Sequence, residues 1–181
     1  MKKIPFSPPD ITVSEVDLVS GALYSGWITT GPKTKEFERK IAEYCHTDKA
    51  VCLNSATACM ESILRVLGVG PGDEVITSAY TYTATASVTC HVGAKVVMVD
   101  TAPDSFEMDY DKLVEAITPN TKVVIPVDLG GVICDYDRIY ASLESKRHLF
   151  NPANEIQKLF GRVIVCLLYT SPSPRDMRRS R

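Results

Sequence analysis

Residues 54–58, Asn-Ser-Ala-Thr-Ala, are the stretch of this sequence whose side-chain types and spacing suit chemistry. They follow Val51, Cys52 and Leu53, a run that reads as a short buried strand, and they precede what reads as the first turns of a helix. The opening N–H groups of a helix have no internal partner and sit at the positive end of its dipole. A strand-to-helix junction carrying Ser55 and Thr57 is therefore suited to holding an anion, phosphate above all. Ser and Thr also cap helices that bind nothing, so the residues alone leave both readings open. The second feature is the chain's one tryptophan, Trp27, in Ser-Gly-Trp-Ile-Thr-Thr-Gly-Pro over 25–32. Two glycines and a proline make this a loop, in which Trp27 is either a packing plug or a ligand wall.

Composition narrows the classes. At 181 residues, 45% hydrophobic and 23% charged, the chain is long enough for one globular domain with a sizeable core. The net charge of −2 divides into +3 over residues 166–181 and −5 before them, which gives nucleic acid no basic face. The six cysteines form no C-x-x-C pair and only three histidines accompany them, so neither a zinc site nor a disulfide framework is indicated. The opening MKKIPFSPPD has two lysines with no apolar stretch behind them, unlike a secretory signal, and no run is long enough to span a membrane. A cytoplasmic protein is expected.

The elements that must position the junction follow in order. Prolines 5, 8 and 9 suggest an extended arm over 4–11. Thr12 and Glu15 form a capping box ahead of an amphipathic helix ending near Gly26, and a second helix is expected over 33–44 with Phe37, Ile41 and Tyr44 on one face. Strands are expected at 51–53, 74–77, 95–100, 122–127 and within 162–168. Helices are expected from 56, within 78–93, and over 110–117, 136–148 and 152–160. Val/Ile strands alternating with helices predict an α/β fold around a mainly parallel sheet buried on both faces. Sites in such sheets lie at the carboxyl ends of the strands, so residues 54–58, 78–82 and 128–131 should gather on one edge.

With those pieces placed, the chain resembles the N-terminal half of the DegT/DnrJ/EryC1/StrS family of pyridoxal-phosphate (PLP) sugar aminotransferases. The likeness runs collinearly through IPFSPPDIT, SGWITTGPKTKEFE, NSATACMESIL, GVGPGDEVITSAYTYTATA, GAKVVMVD and ITPNTKVVIPVDLGG, over about 4–165. It implies the large domain of fold-type I PLP enzymes. The family's S-x-T-A phosphate turn falls on Ser55, Ala56, Thr57 and Ala58, and the aromatic that stacks on the cofactor ring falls on Tyr82. Trp27, Thr29 and Thr30 occupy a loop that lies near the active site in such enzymes, which implies contact with the sugar nucleotide. The substrates implied are glutamate and a nucleotide-linked keto sugar, the assembly a homodimer, and no metal is called for. Asp128 stands where many members have a histidine, and the 145–157 segment is longer than in many of them.

The resemblance also shows what is missing. The family's Schiff-base lysine and the aspartate that pairs with the pyridine nitrogen lie downstream of the fifth strand, and neither is in this sequence. Residues 1–165 are therefore expected to be the N-terminal part of the large domain. Residues 166–181, which include CLLYTSPSPRD, resemble translated sequencing-adapter read-through, a non-native tail. The first strand, 51–53, normally pairs with the domain's last strand; without it, the other four strands should still form a contiguous parallel sheet. The fragment is expected to be inactive and to bind PLP weakly at best. For the intact parent, amino transfer stands first, with a PLP-dependent sugar dehydrase and a non-catalytic nucleotide-binding or regulatory α/β module as alternatives.

Overall fold

The computed structural model describes residues 9–166 and the backbone of 168–169. The arm expected over 4–11 and the tail over 166–181 fall mostly outside the described residues. The chain divides after Cys52 into two compact units.

The first unit carries two helices, α1 (Val13–Tyr24) and α2 (Pro32–Tyr44). The capping box forms as the sequence indicates: the Thr12 amide donates to Glu15 Oε2 at 2.7 Å and the Thr12 hydroxyl bonds the same oxygen. Pro32 opens α2, where its missing N–H costs nothing and its fixed φ suits the helix. The apolar stripes expected to face a core are largely exposed: Val16, Leu18, Val19, Leu23, Phe37 and Tyr44 all lie at the surface. Ala42 alone is fully buried in α2.

The second unit is a three-layer α/β structure. Its sheet contains β1 (Glu74–Ser78), β2 (Lys95–Val99), β3 (Thr121–Ile125) and β5 (Ile164–Val165), all parallel, in the order β2-β1-β3-β5. This is the contiguous four-stranded sheet expected. The two-residue β4 (Val127–Asp128) pairs separately with β6 (Leu168–Tyr169). Alternation along the strands fills two cores. Val75, Val123 and Ile125 point to the face covered by α3 (Ala56–Val66) and α4 (Thr83–His91), where Met60, Leu64 and Val88 meet them. Ile76 and Val124 point to the other face, against Leu113 of α5 (Tyr110–Ala116) and Ile139 and Leu143 of α6 (Tyr136–Ser145). A last short helix, α7 (Glu155–Phe160), is tied to the end of α3: Asn154 Nδ2 and Gln157 Nε2 both donate to the Leu67 carbonyl, at 2.9 and 3.0 Å.

Several boundaries depart from the sequence reading for identifiable reasons. Residues 51–53 form no strand, and Val51 is 75% exposed. A strand is defined by a neighbour's N–H and C=O groups, and the resemblance puts that neighbour downstream of this sequence. The run expected over 122–127 breaks at Pro126, which has no N–H for the ladder, and so divides into β3 and β4. The helix expected over 136–148 ends at Ser145 and is followed by a separate 3-10 turn, Arg147–Leu149. The segment expected to be helical over 152–160 starts only at Glu155, where Asn154 Oδ1 accepts from the Gln157 amide at 2.9 Å. Cys166, just after β5, is buried in the core and its amide donates to Val124 O at 2.9 Å.

Candidate functional site

The amino end of α3 is built by Ser55. Its backbone is extended (φ −161°, ψ 157°), its carbonyl accepts from the Cys59 amide at 3.1 Å, and its Oγ accepts from the Ala58 amide at 3.1 Å. Ala56 and Thr57 are thus the first two helical residues. Their amides have no partner among the described residues, nor has the half-buried Thr57 hydroxyl. Ser55 and Ala56 are exposed. Two free amides and two hydroxyls at the positive end of an 11-residue helix fit a phosphate ester.

Where this helix end lies follows from its neighbour. α4 leaves the carboxyl end of β1 through residues 79–82, with Tyr82 as its N-cap in extended conformation (φ −69°, ψ 143°). The C-terminal portions of α3 and α4 are joined: Glu61 Oε2 lies 2.9 Å from His91 Nδ1, and Arg65 Nη2 donates to His91 O at 3.5 Å. The turn after α3 then leads straight to the amino end of β1, and Lys95 N donates to Asp73 O at 2.9 Å. The two helices therefore run side by side in the same sense, and both amino ends face the carboxyl edge of the sheet. Residues 128–131 follow β3 and reach that edge as well. The crossover after β1 runs outward to β2 and the crossover after β3 runs the other way to β5, so the chain diverges between the carboxyl ends of β1 and β3, which is where open α/β sheets receive ligands.

Tyr82 is 78% exposed at this edge, a ring available to stack on a ligand rather than a core tyrosine. The helix expected within 78–93 runs over Thr83–His91, which leaves 79–82 as the loop that carries Tyr82. Tyr80, two residues earlier, stacks on Phe106 with ring centroids 5.4 Å apart. Trp27, Thr29 and Thr30 belong to the first unit, in the loop between α1 and α2.

Asp128 organises the third junction, a role the sequence reading did not assign. It is fully buried, and its Oδ1 accepts from the Cys134 amide at 3.0 Å and the Tyr136 hydroxyl at 2.8 Å. Burial and the Asp128 carboxylate push the Cys134 thiol up to about 12. Gly130 and Gly131, with φ of 61° and 86°, make the turn between. Tyr110 supports the same loop from α5, donating to Glu107 Oε2 at 2.6 Å and accepting from the Asp135 amide at 2.7 Å. Burial first, and Glu107 second, raise its phenol above the usual range. The available signal was a carboxylate at the end of an apolar run and ahead of Gly-Gly.

Comparison with known proteins bears on the family and the fold. The profile of the DegT/DnrJ/EryC1/StrS aminotransferase family matches residues 9–149. The spore coat polysaccharide biosynthesis protein SpsC of Bacillus subtilis (strain 168) is 43% identical over 138 residues, 76% of this chain and 36% of SpsC. The UDP-4-amino-4-deoxy-L-arabinose–oxoglutarate aminotransferase of Shewanella sediminis (strain HAW-EB3) is 43% identical over 137 residues, 76% of this chain and 35% of that enzyme. Among solved structures, Spr1654 of Streptococcus pneumoniae in its PLP form superposes with a TM-score of 0.89 at 59% identity, covering 92% of this chain and 42% of that one. The fold is thus that of fold-type I aminotransferases, and the chain spans little more than a third of the length of the curated relatives it matches.

Proposed function

Because the chain belongs to the DegT/DnrJ/EryC1/StrS aminotransferase family, we propose that it is the N-terminal part of a PLP-dependent enzyme that moves an amino group from glutamate to a keto group on a nucleotide-linked sugar. One observation carries the proposal: the unpartnered amides of Ala56 and Thr57 open α3 at the sheet edge where Tyr82 opens α4. In this reading those amides, with the Ser55 and Thr57 hydroxyls, hold the cofactor's ester phosphate. Ser55 also keeps the Ala58 amide occupied, so the turn is set before the ligand arrives. Tyr82 covers the heterocycle. Bound PLP supplies an electron sink for amino transfer. The residues of this chain bind and orient the cofactor, and the lysine that moves the proton comes from the remainder of the parent.

Trp27, Thr29 and Thr30 are assigned to the sugar nucleotide. The Shewanella relative's name, with its UDP-linked amino sugar and oxoglutarate, supports the substrate pair. Among the described residues no helix is long and apolar enough to cross a membrane. A cytoplasmic homodimer is proposed for the parent, with residues 1–165 as its N-terminal part and most of 166–181 outside the domain. The test is to supply the full-length parent with PLP, glutamate and a UDP-linked keto sugar and to follow the cofactor absorbance and the amino-sugar product. Failure to bind PLP or to transfer nitrogen overturns the reading. This chain alone should show no PLP absorption band that survives dialysis and disappears when one particular lysine is mutated.

A further inference from the structure

The loop that carries Thr29 and Thr30 is closed on itself by its tryptophan. Ser25 Oγ donates to Ala22 O at 2.7 Å and accepts from the Trp27 amide at 3.2 Å, and the indole N–H of Trp27 donates to the Thr30 carbonyl at 3.1 Å. Gly31, the N-cap of α2, lies against the indole. A Cβ at this position would sit 2.7 Å from Cε2 of the ring and nearer still to Cδ1 and Nε1. Its φ of −167° is ordinary extended backbone, so the conformation does not call for glycine and the space does. Trp27 is 58% exposed, so core packing does not hold the ring; the seat on Gly31 and the bond to Thr30 do.

We infer that Gly31 is a positioning residue: its bare α-carbon seats the Trp27 indole, which through the Thr30 carbonyl fixes Thr29 and Thr30 for the sugar nucleotide. The inference rests on the assignment of those threonines made above. A methyl group at 31 displaces the indole rather than the backbone, because the ring can leave by rotation about its side-chain bonds into solvent.

Two measurements test it together. In this chain Trp27 is the only tryptophan, so its emission reports the seat directly. Gly31→Ala should redden the emission and raise acrylamide quenching, because the ring, 58% exposed in its seat, gains further contact with water. Gly21→Ala, where an added Cβ meets nothing within 4 Å, should leave both unchanged and serves as the folding control. In the full-length parent, Gly31→Ala should raise KM for the keto sugar about five-fold, the effect of one lost hydrogen bond. It should leave kcat and the glutamate-driven change in cofactor absorbance as they were. Trp27→Phe, which keeps a ring but loses the N–H, should move KM in the same direction. An unchanged emission, or a displaced indole with an unchanged KM, overturns the inference while leaving the aminotransferase reading intact. A parent that binds no PLP removes both.

Discussion

Ser55 separates helix capping from anion binding, because one side chain serves both in the proposed site. Ser55→Ala removes the Oγ that accepts from the Ala58 amide at 3.1 Å, and should cost about 1 kcal/mol of stability. Ser55→Asp keeps an acceptor in that place and adds a negative charge at the helix's positive end, so stability should hold or rise by about 0.3–1 kcal/mol. The two variants should therefore part in stability. For phosphate the order reverses. Ser55 is exposed, so the bulk-water value applies, about 1 kcal/mol per pair of unit charges at ~4 Å. A phosphate monoester carries about −1.5 to −2 at neutral pH, so the added carboxylate should weaken PLP binding by roughly 1.5–2 kcal/mol, about ten- to thirty-fold. Urea denaturation gives the first quantity and PLP titration of the full-length parent at low ionic strength gives the second. An aspartate variant as stable as the parent that binds PLP equally well would refute the assignment of the phosphate to this helix end.

Three further outcomes are expected. Leu64→Ala, at a wholly buried position between α3 and the sheet, should cost about 2–5 kcal/mol in urea midpoint analysis. Cys45 and Cys90 are exposed and should react with Ellman's reagent in the native protein. Cys134 and Cys166 are buried, with thiols pushed up to about 12 and 11, and should react only after denaturation. Burial raises the pKa of Glu74, but the Lys95 ammonium and the Thr118 hydroxyl outweigh it and hold the carboxyl below its usual value. A depressed folded pKa means stability that is present above about pH 4.3 and lost as pH falls through the folded value. Glu74→Gln should therefore flatten the acid limb of the stability curve, a change readable in urea midpoints between pH 7 and pH 3.

Much of the second unit was legible in the sequence because local chemistry and burial pattern agreed there. The N-cap at Ser55 and the Val/Ile strands there, like the Thr12–Glu15 box of the first unit, each act within a few residues of themselves. The parallel arrangement followed from strands alternating with helices, and the prediction that three junctions share an edge followed from the arrangement. The strand at 51–53 and the continuity through Pro126 were misread because apolar character reports preference for burial, while a strand exists only where a ladder partner is present and every N–H in register can be used.

By itself the sequence determined where most of the helices and the four strands of the sheet would fall, that the sheet would be parallel, and which short turn had the donors for a phosphate. All of these depend on neighbours along the chain or on hydrophobic period. Only the tertiary structure decided that β1 lies between β2 and β3, that Asp128 is buried and holds the following loop through Cys134 and Tyr136, and that Gly31 leaves room for the Trp27 ring. Each of these is a matter of which atoms come within a few ångströms after the chain has turned back on itself, and neither composition nor periodicity carries that distance.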